Sequence, residues 1–418
     1  ILKSGVPHPY KTTNGSQFPP VKKLRKKIIL NNIPIYQINL NLPPQERWNQ
    51  LIQDKKQDML NLLNSLKKNS LLFFGSEMFH LVDNFMPYLT KTLPQPYQEE
   101  LIGISKAADI SLGEITLFNV FYEFFSVCTS IIIQSKDNCF YHGRNLDFGL
   151  FLGWDEKNNT WFTSEYLKPL VVKLEFKKNN KTLYSSINFA GYIGILTGVK
   201  KESFSLTVDE RFKLNGGYIG ISEWILGYHN QKWMGLLTRE VMENAKDYKT
   251  AQKMLAKPKL IAPVYFILAG SKANEGCIIT RGRTSFDIWN IGEKQTYQNG
   301  SWYLVQTNYD HWENPPFFDD RRTPAIICME EFGQEKPFST LNKVLSTRPV
   351  LNKLTTYTAL MDVNEGSIEA WLRECTDPCW PWEVDLTGKF IDSSTDGVRS
   401  SAPEQQNISR ETTEDVTV

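Results

Sequence analysis

A cysteine stands where the character of this sequence changes. Cys128, followed by Thr129 and Ser130, ends the apolar, helix-like stretch Leu117–Val127 and opens a run rich in β-formers. If the Val127–Cys128 bond is cut, the cysteine gains a free α-amino group and carries a thiol nucleophile together with its own base. The alternative is a buried cysteine that begins a core strand. The surrounding residues decide between the two.

One group of charged side chains follows soon after the cysteine. His142-Gly-Arg144-Asn-Leu-Asp147 comes after a strand-like stretch, and a hairpin beside the Cys128 strand would bring Arg144 and Asp147 to the cut end. There Asp147 could hold the new amine, and Arg144 could lower the pKa of the thiol. A salt bridge at a surface turn is the alternative.

Two further groups lie later in the chain. Asp209-Glu210-Arg211 follows a strand-like run, and Gln306-Thr-Asn308-Tyr-Asp310 precedes Asp319-Asp-Arg321-Arg322. Asn308, at a strand end, could donate an amide hydrogen bond to a developing oxyanion, and Arg321 could anchor it. Each group alone is more often a structural network than a catalytic one.

Composition excludes several classes of function. With 47 basic and 46 acidic residues the net charge is +1, which does not favour binding to nucleic acid. An apolar fraction of 41% is typical of a globular protein, and no apolar run reaches the length of a membrane span. The six cysteines and five histidines lack metal-ligand spacing, so we predict neither a metal nor a cofactor.

Several features favour the secretory or endolysosomal route. Cys375-Thr-Asp-Pro-Cys379 closes a tight loop that suits a local disulfide. Five Asn-x-Ser/Thr glycosylation signals, each beside turn-forming or polar residues, begin at Asn14, Asn158, Asn180, Asn299 and Asn407.

Periodicity predicts a helical first part and a β-rich remainder. Before Cys128 we expect a strand at Ile35–Leu40 and helices over about 45–66, 79–107 and 115–125, the last opened by a capping box at Ser111–Glu114. After it we expect strands, including Tyr192–Thr197 and Phe204–Val208, around helices at about 221–246 and 249–256. The helix at 115–125 is apolar almost all round and, with Leu71–Phe74, could line an acyl-chain channel or touch lipid; core packing is the alternative.

Five of these motifs, taken together, resemble the acid ceramidase family. The resemblance runs from about Ile35 to Trp380. The motifs that carry it are Cys128-Thr-Ser, His142-Gly-Arg-Asn-Leu-Asp147, Asp209-Glu-Arg-Phe212, Val305-Gln-Thr-Asn-Tyr-Asp310 and Asp319-Asp-Arg-Arg-Thr-Pro324.

The resemblance implies a fold, a maturation step and a set of roles. The fold is the αββα sandwich of N-terminal-nucleophile hydrolases, in an α+β chain that cleaves itself at Val127–Cys128. Residues 1–34 would be a flexible leader, 35–127 a mainly helical α subunit, 128–382 the catalytic β subunit, and 383–418 a disordered polar tail. In catalysis Cys128 would be the nucleophile, Arg144 and Asp147 its partners, Glu210 a site carboxylate, Asn308 the oxyanion donor and Arg321 a supporting cation.

The implied reaction is hydrolysis of the N-acyl amide bond of ceramide or related N-acyl lipids to sphingosine and a fatty acid. The implied setting is the lysosome, with some secretion, a lipid-presenting activator protein and a membrane surface as partners. The alternatives are the sister family, N-acylethanolamine-hydrolysing acid amidase, and an inactive lipid-binding homologue. Gly149-Leu-Phe-Leu-Gly-Trp154 and the Cys375–Cys379 loop favour ceramidase.

One feature departs from the family pattern. The family joins its subunits by a disulfide to the cysteine matching Cys328, yet the sequence has no cysteine before Cys128. We therefore expect Cys328 to be unpaired, or the subunits to be held together without a covalent link.

Overall fold

Cys128 lies in a strand hairpin of the fold. The computed structural model describes residues 33–74, 86–121, 126–148, 154–155, 160–212, 216–295, 298, 300–376 and 379. In it β1 spans Ile35–Asn39, β2 Ser126–Gln134 and β3 Phe140–Phe148. Strands β2 and β3 pair antiparallel, with Cys128 opposite Leu146, so the predicted hairpin is confirmed.

The remaining strands complete two large sheets and one small one. They are β4 Trp154–Asp155, β5 Thr160–Trp161, β6 Val171–Lys178, β7 Lys181–Phe189, β8 Thr197–Lys200, β9 Phe204–Glu210, β10 Val264–Gly270, β11 Gly276–Arg281, β12 Phe286–Asn290, β13 Tyr303–Gln306, β14 Thr355–Asp362 and β15 Ser367–Leu372. One sheet has the order β13-β2-β3-β14-β15, the other β1-β6-β7-β8-β9-β10-β11-β12, and β4 pairs with β5. Strand β1 is parallel to β6, so the part of the chain before Cys128 supplies an edge strand of the larger sheet.

Nine α-helices with the following bounds lie within the described residues. They are α1 Asn49–Phe74, α2 Tyr97–Ala108, α3 Leu112–Phe121, α4 Phe162–Leu167, α5 Gly216–Ile225, α6 Met234–Asn244, α7 Tyr248–Ala256, α8 Arg322–Phe332 and α9 Pro337–Val344. Residues 86–92 are also helical. No helix within the described ranges has both the length and the apolar character that crossing a membrane requires.

The two large sheets pack face to face between layers of helices. Alternate residues of β2 point to opposite sides, as the period of a strand requires. Ile131 and Ile133 pack with Met329 of α8 and Leu341 of α9. Cys128 belongs to the larger core, shared with strands of the eight-stranded sheet and with helices α1 to α3, α6 and α7. This arrangement confirms the predicted αββα sandwich.

The first part of the chain is mainly helical, as predicted. The capping box is present, because the N–H of Glu114 donates to Oγ of Ser111 (3.2 Å) and the N–H of Ser111 donates to Oε2 of Glu114 (3.3 Å). Ile115 is fully buried in the core. The predicted end of this helix at 122–125 and the side chains of 71–74 lie outside what the structure describes, as do the leader to residue 32 and the tail beyond 382.

Two predicted elements differ in the structure. The helix expected over 221–246 is two helices, α5 and α6, separated by a turn in which Gly227 has a φ of +93° that favours glycine. The strand expected at Tyr192–Thr197 is a buried turn, and β8 begins only at Thr197. There an added Cβ at Gly194 would lie 2.8 Å from Cα of Gly235, so the backbones approach too closely for a larger residue. The predicted boundaries at 34, 127 and 382 stay predictions.

Candidate active site

The thiol of Cys128 lies in a fully buried ionic cluster between the two sheets. Nη2 of Arg144, in β3, donates a hydrogen bond to Sγ of Cys128. The same atom lies 3.6 Å from Oδ1 of Asp209, in β9 of the facing sheet. All three side chains are inaccessible to solvent. A nucleophile, a cation and a carboxylate therefore meet where the sheets pack together.

Burial and charge act in opposite directions on these groups. Burial raises the pKa of the Cys128 thiol, and the charge of Arg144 offsets part of this increase. Burial also raises the pKa of Asp209 to about 7, against the lowering effects of Arg144 and of the hydrogen bond from Ser130. In the uncut chain the thiol is therefore neutral, and Asp209 is protonated at acidic pH.

Asn308 and Arg321 hold the main chain on both sides of Cys128. The N–H of Cys128 donates to Oδ1 of Asn308 at 2.9 Å, and Nη2 of Arg321 donates to the same oxygen at 2.7 Å. Nη1 of Arg321 donates to the main-chain oxygen of Cys128. Because two donors face Oδ1, the orientation of the Asn308 amide is determined. A cut before Cys128 would leave its nitrogen beside Asn308.

The other end of the Asn308 amide faces Glu210. Nδ2 of Asn308 donates to the main-chain oxygen of Glu210 at 2.8 Å. Glu210 ends β9 and is only partly buried. The structure thus brings Asn308 and the main chain of Glu210 together beside Cys128, while the oxyanion role of Asn308 and the catalytic role of the Glu210 carboxylate stay predictions.

Asp147 lies beside the predicted cleavage site, on the opposite face of β3 from Arg144. It is in register with Val127, and its carboxylate accepts hydrogen bonds from Oγ1 of Thr355 (2.6 Å) and Nδ2 of Asn352 (2.9 Å). Oδ2 lies 3.6 Å from Nη1 of Arg321. Burial raises the pKa of Asp147 to about 6, although Arg321 lowers it. Arg321 therefore lies between the two residues and connects the Asp147 carboxylate to the main-chain oxygen of Cys128.

Sequence reasoning assigned the site carboxylate to Glu210 and gave Asp209 no role, although a signal for Asp209 was present. In Phe204–Glu210 the polar residues Ser205, Thr207 and Asp209 alternate with apolar ones, so they share one face of the strand. That face contacts β2 and β3, since Oγ of Ser130 donates to Oδ1 of Asp209 at 2.8 Å. The strand period thus favoured Asp209 over Glu210 as the inward carboxylate.

A chain of hydrogen bonds runs from Asp209 to His142. Thr207 Oγ1 donates to Ser130 Oγ at 2.8 Å, and Ser130 donates to Asp209. His142 Nε2 lies 2.9 Å from Thr207 Oγ1 and is the donor, because the Thr207 proton is already engaged. Burial lowers the pKa of His142 to about 3, so the imidazole is neutral. Every donor in this series of hydrogen bonds points toward Asp209.

Comparison with known protein families divides the chain at the same cysteine. A model described as linear amide C–N hydrolases, choloylglycine hydrolase family, matches residues 128–333 and so begins at Cys128. A second, described as the beta subunit of N-acylethanolamine-hydrolyzing acid amidase, matches residues 31–93. The solved Caenorhabditis elegans ortholog of that amidase is 28% identical and covers 59% of this chain and 100% of its own, with a TM-score of 0.49.

Curated relatives match over most of their length. The acid ceramidases of Homo sapiens and Balaenoptera acutorostrata scammoni are each 51% identical over 353 residues, covering 84% of this chain and 88% of theirs. That of Mus musculus is 48% identical over 84% of this chain. This chain belongs to the acid ceramidase family. It is a linear amide C–N hydrolase, and the two family models fit a two-subunit precursor, one on each side of the junction.

The sequence also made predictions for cysteines and glycosylation sites outside the active site, and the structure can be compared with them. The predicted Cys375–Cys379 disulfide is present. Cys328 is a free thiol in the structure. Asn180 lies exposed in the turn between β6 and β7 with a φ of +62°. The other four candidate glycosylation sites and the Gly149–Gly153 stretch lie outside the described residues.

Proposed function

We propose that this chain cleaves its own Val127–Cys128 bond and then hydrolyses the N-acyl amide bond of ceramide, releasing sphingosine and a free fatty acid. The placement of Asn308 and Arg321 on both sides of Cys128, with Arg144 on its thiol, supports this proposal most directly. The names of the curated relatives support the choice of ceramide.

Self-cleavage uses the Cys128 thiol, with Arg144 beside it, and one water molecule. The Cys128 thiol attacks the carbonyl carbon of Val127, and its proton passes to the amide nitrogen as the C–N bond breaks. The resulting thioester is hydrolysed by water, which leaves a carboxylate on Val127 and an α-amine on Cys128. Arg321 and Asn308 keep the junction in place during these steps.

Turnover uses the same thiol. The α-amine of Cys128 takes the thiol proton, and the thiolate attacks the ceramide carbonyl to give a tetrahedral oxyanion, for which Asn308 is the proposed donor. As the oxyanion collapses, the α-ammonium of Cys128 returns that proton to the amide nitrogen, the C–N bond breaks, and sphingosine leaves as an amine while a thioester remains on Cys128. Water, deprotonated by the α-amine, then releases the fatty acid.

Other site residues act through electrostatics and position. Arg144 stabilises the thiolate, Asp147 positions Arg321, and the Glu210 carboxylate holds a charged group at the cut end. We add Asp209 to this set, because its carboxylate lies beside Arg144. Arg321 supports Asn308 and the main chain of Cys128.

A head-to-head assay tests the substrate. Release of fatty acid from a ceramide and from an N-acylethanolamine should be measured at acidic pH with the wild-type chain and with Cys128→Ala. We expect faster hydrolysis of the ceramide and no hydrolysis by the variant. A preference for the N-acylethanolamine would assign the chain to the sister activity, and hydrolysis of neither would indicate an inactive lipid-binding homologue.

We propose a lysosomal location, with some of the protein secreted, and contact with a lipid surface and a lipid-presenting activator protein. The raised pKa values of Asp147 and Asp209 suit an acidic compartment. Ile219, Ile225, Leu226 and Tyr228 are exposed at and after α5, where they suit contact with lipid. Flotation with vesicles, compared with a variant carrying Ser at these four positions, tests the lipid contact. Equal flotation of both would contradict it.

A further inference from the structure

A buried ion pair joins the two segments that cleavage would separate. We call residues 33–127 the N-terminal segment and residues 128–379 the C-terminal segment. Glu100, in α2 of the N-terminal segment, and Arg239, in α6 of the C-terminal segment, are both inaccessible to solvent. Nη2 of Arg239 donates to Oε1 of Glu100 at 2.7 Å, and Nη1 donates to Oε2. The pair is bidentate, the strongest geometry for such a contact.

Both partners have further contacts that satisfy their charges. Glu100 also accepts hydrogen bonds from Nη1 of Arg47 and Nε1 of Trp48, each at 2.8 Å. The Arg239 guanidinium lies 5.3 Å from the ring centre of Tyr97, 5.6 Å from that of Trp48 and 5.4 Å from that of Phe176. The cation is therefore enclosed by aromatic rings from both segments.

We infer that the Glu100–Arg239 pair is a noncovalent latch that keeps the N-terminal segment bound to the C-terminal segment after the chain is cut. The inference rests on the proposed cleavage. Loss of Glu100 would leave the fully buried Arg239 cation with only the partly exposed Glu243 carboxylate, 2.9 Å from Nε, as an acidic partner. Loss of Arg239 would leave Glu100 paired only with Arg47 of its own segment. Either loss is unfavourable and removes the ion pair between the segments. The pairing of β1 with β6 adds main-chain hydrogen bonds but no comparable charge.

The Glu100 carboxylate of the latch and the carboxylates of the active site respond differently to acid. Although burial acts to raise it, the pKa of Glu100 is lowered, because Arg239 and Arg47 face the carboxylate and Trp48 donates to it. The other titratable groups around the pair are Glu243, Glu240, Tyr97 and Tyr184. Acid that protonates Asp147 and Asp209 therefore leaves the latch ionised, so the segments stay together at the pH where the enzyme is proposed to work.

The test compares Glu100→Gln with Glu99→Gln in the full-length chain. Glu99 lies on the same helix without the buried pair, so the second variant is a matched control. After cleavage at acidic pH, samples in reductant are separated by size-exclusion chromatography in increasing urea, and both fragments are followed on gels. We expect wild type and Glu99→Gln to co-elute at the same urea concentrations, and Glu100→Gln fragments to separate at a urea concentration lower by about 1 M or more.

The double variant Glu100→Gln/Arg239→Gln keeps the test decisive if the single variant does not fold. Removing both charges should restore co-elution relative to Glu100→Gln or Arg239→Gln alone, because neither charge then stays buried without its partner in the other segment. Equal urea midpoints for Glu100→Gln and Glu99→Gln, additive effects of the two substitutions, or a double variant as insoluble as the single one would overturn the latch. A wild-type chain that stays in one piece on the gel would overturn both the cleavage and the latch, whereas wild-type fragments that separate without urea would overturn the latch alone.

Discussion

The main-chain N–H of Cys128 donates a hydrogen bond to Oδ1 of Asn308 at 2.9 Å. The nitrogen in this bond is the atom that self-cleavage would convert from an amide into the base of the enzyme. Arg321 donates to the same oxygen and to the Cys128 carbonyl, so the future amine is positioned before the bond is cut. The precursor therefore already contains the geometry that the proposed chemistry needs.

Asn308→Ala should slow self-cleavage by about 100-fold or more, because it removes the acceptor of the Cys128 N–H and a proposed oxyanion donor. The fraction of chain cut at acidic pH is followed over time on gels. Asn41→Ala, an exposed asparagine, is the control and should be cut at the wild-type rate. Cleavage of Asn308→Ala at that same rate would show that Asn308 does not position the junction.

Arg144→Met should abolish self-cleavage and ceramide hydrolysis, because the buried thiol would lose the cation that offsets its raised pKa. Arg144→Lys keeps the charge but cannot also donate to the Leu196 carbonyl and to Thr197, so we expect a loss of about 10-fold to 100-fold. Rates of both reactions are measured beside Arg348→Met, an exposed arginine. Full activity in Arg144→Met would contradict the role assigned to this contact.

Asp209 should make the uncut protein more stable in acid than at neutral pH. Its folded-state pKa, about 7, is raised above the ordinary value of 3.8, so the stabilising contribution is complete below pH 3.8 and is lost as the pH rises through about 7. Melting temperatures of Cys128→Ala and Cys128→Ala/Asp209→Asn are compared at pH 4.5 and 7.5. We expect the decrease in melting temperature with rising pH to be smaller in the double variant by about 2 °C or more.

His142 changes the stability with pH in the opposite direction from Asp209. For this reason the effect of Asp209 is measured as the difference between two variants that both contain His142. Its pKa is lowered to about 3, so its contribution to stability is present above pH 6.5 and is lost as the pH falls toward 3. This contribution is common to both proteins and cancels in the comparison. An identical pH dependence in the two variants would show that Asp209 does not titrate as described.

Replacing Cys375 and Cys379 by serine should lower the stability of the folded protein only slightly. The bond joins cysteines only four positions apart, so it restricts the unfolded chain little and stabilises the folded state by only about 1–2 kcal/mol. We expect a slightly lower melting temperature, measured calorimetrically, with unchanged self-cleavage. A variant that is no longer cut would indicate that this loop supports the active site directly.

The strand pattern predicted how one part of the candidate site is placed. The change from a helix-like to a β-rich pattern at Cys128 and the spacing to Arg144 predicted a hairpin, and β2 and β3 form it. The contact between Arg144 and Asp209 was not predictable in the same way, because β9 is distant in sequence and belongs to the other sheet. Only the alternation of Ser205, Thr207 and Asp209 indicated which carboxylate points inward.

Backbone features account for the misassigned elements. The apolar stripe continues from α5 into α6, so periodicity alone joined two helices that are separated at Gly227. Tyr192–Thr197 is as apolar as a strand, but tight packing of Gly194 against Gly235 favours a turn. These constraints come from contacts between distant parts of the chain, which a local pattern does not contain.

Mass spectrometry of the acid-incubated chain tests the central claim, that Cys128 is a nucleophile released by its own cleavage. The wild-type chain should give fragments 1–127 and 128–418, and brief exposure to ceramide should add one acyl group to the peptide that begins with Cys128. Cys128→Ala should remain intact and unacylated. Cleavage of Cys128→Ala at the same bond, or ceramide hydrolysis by a wild-type chain that is never cut, would contradict the account.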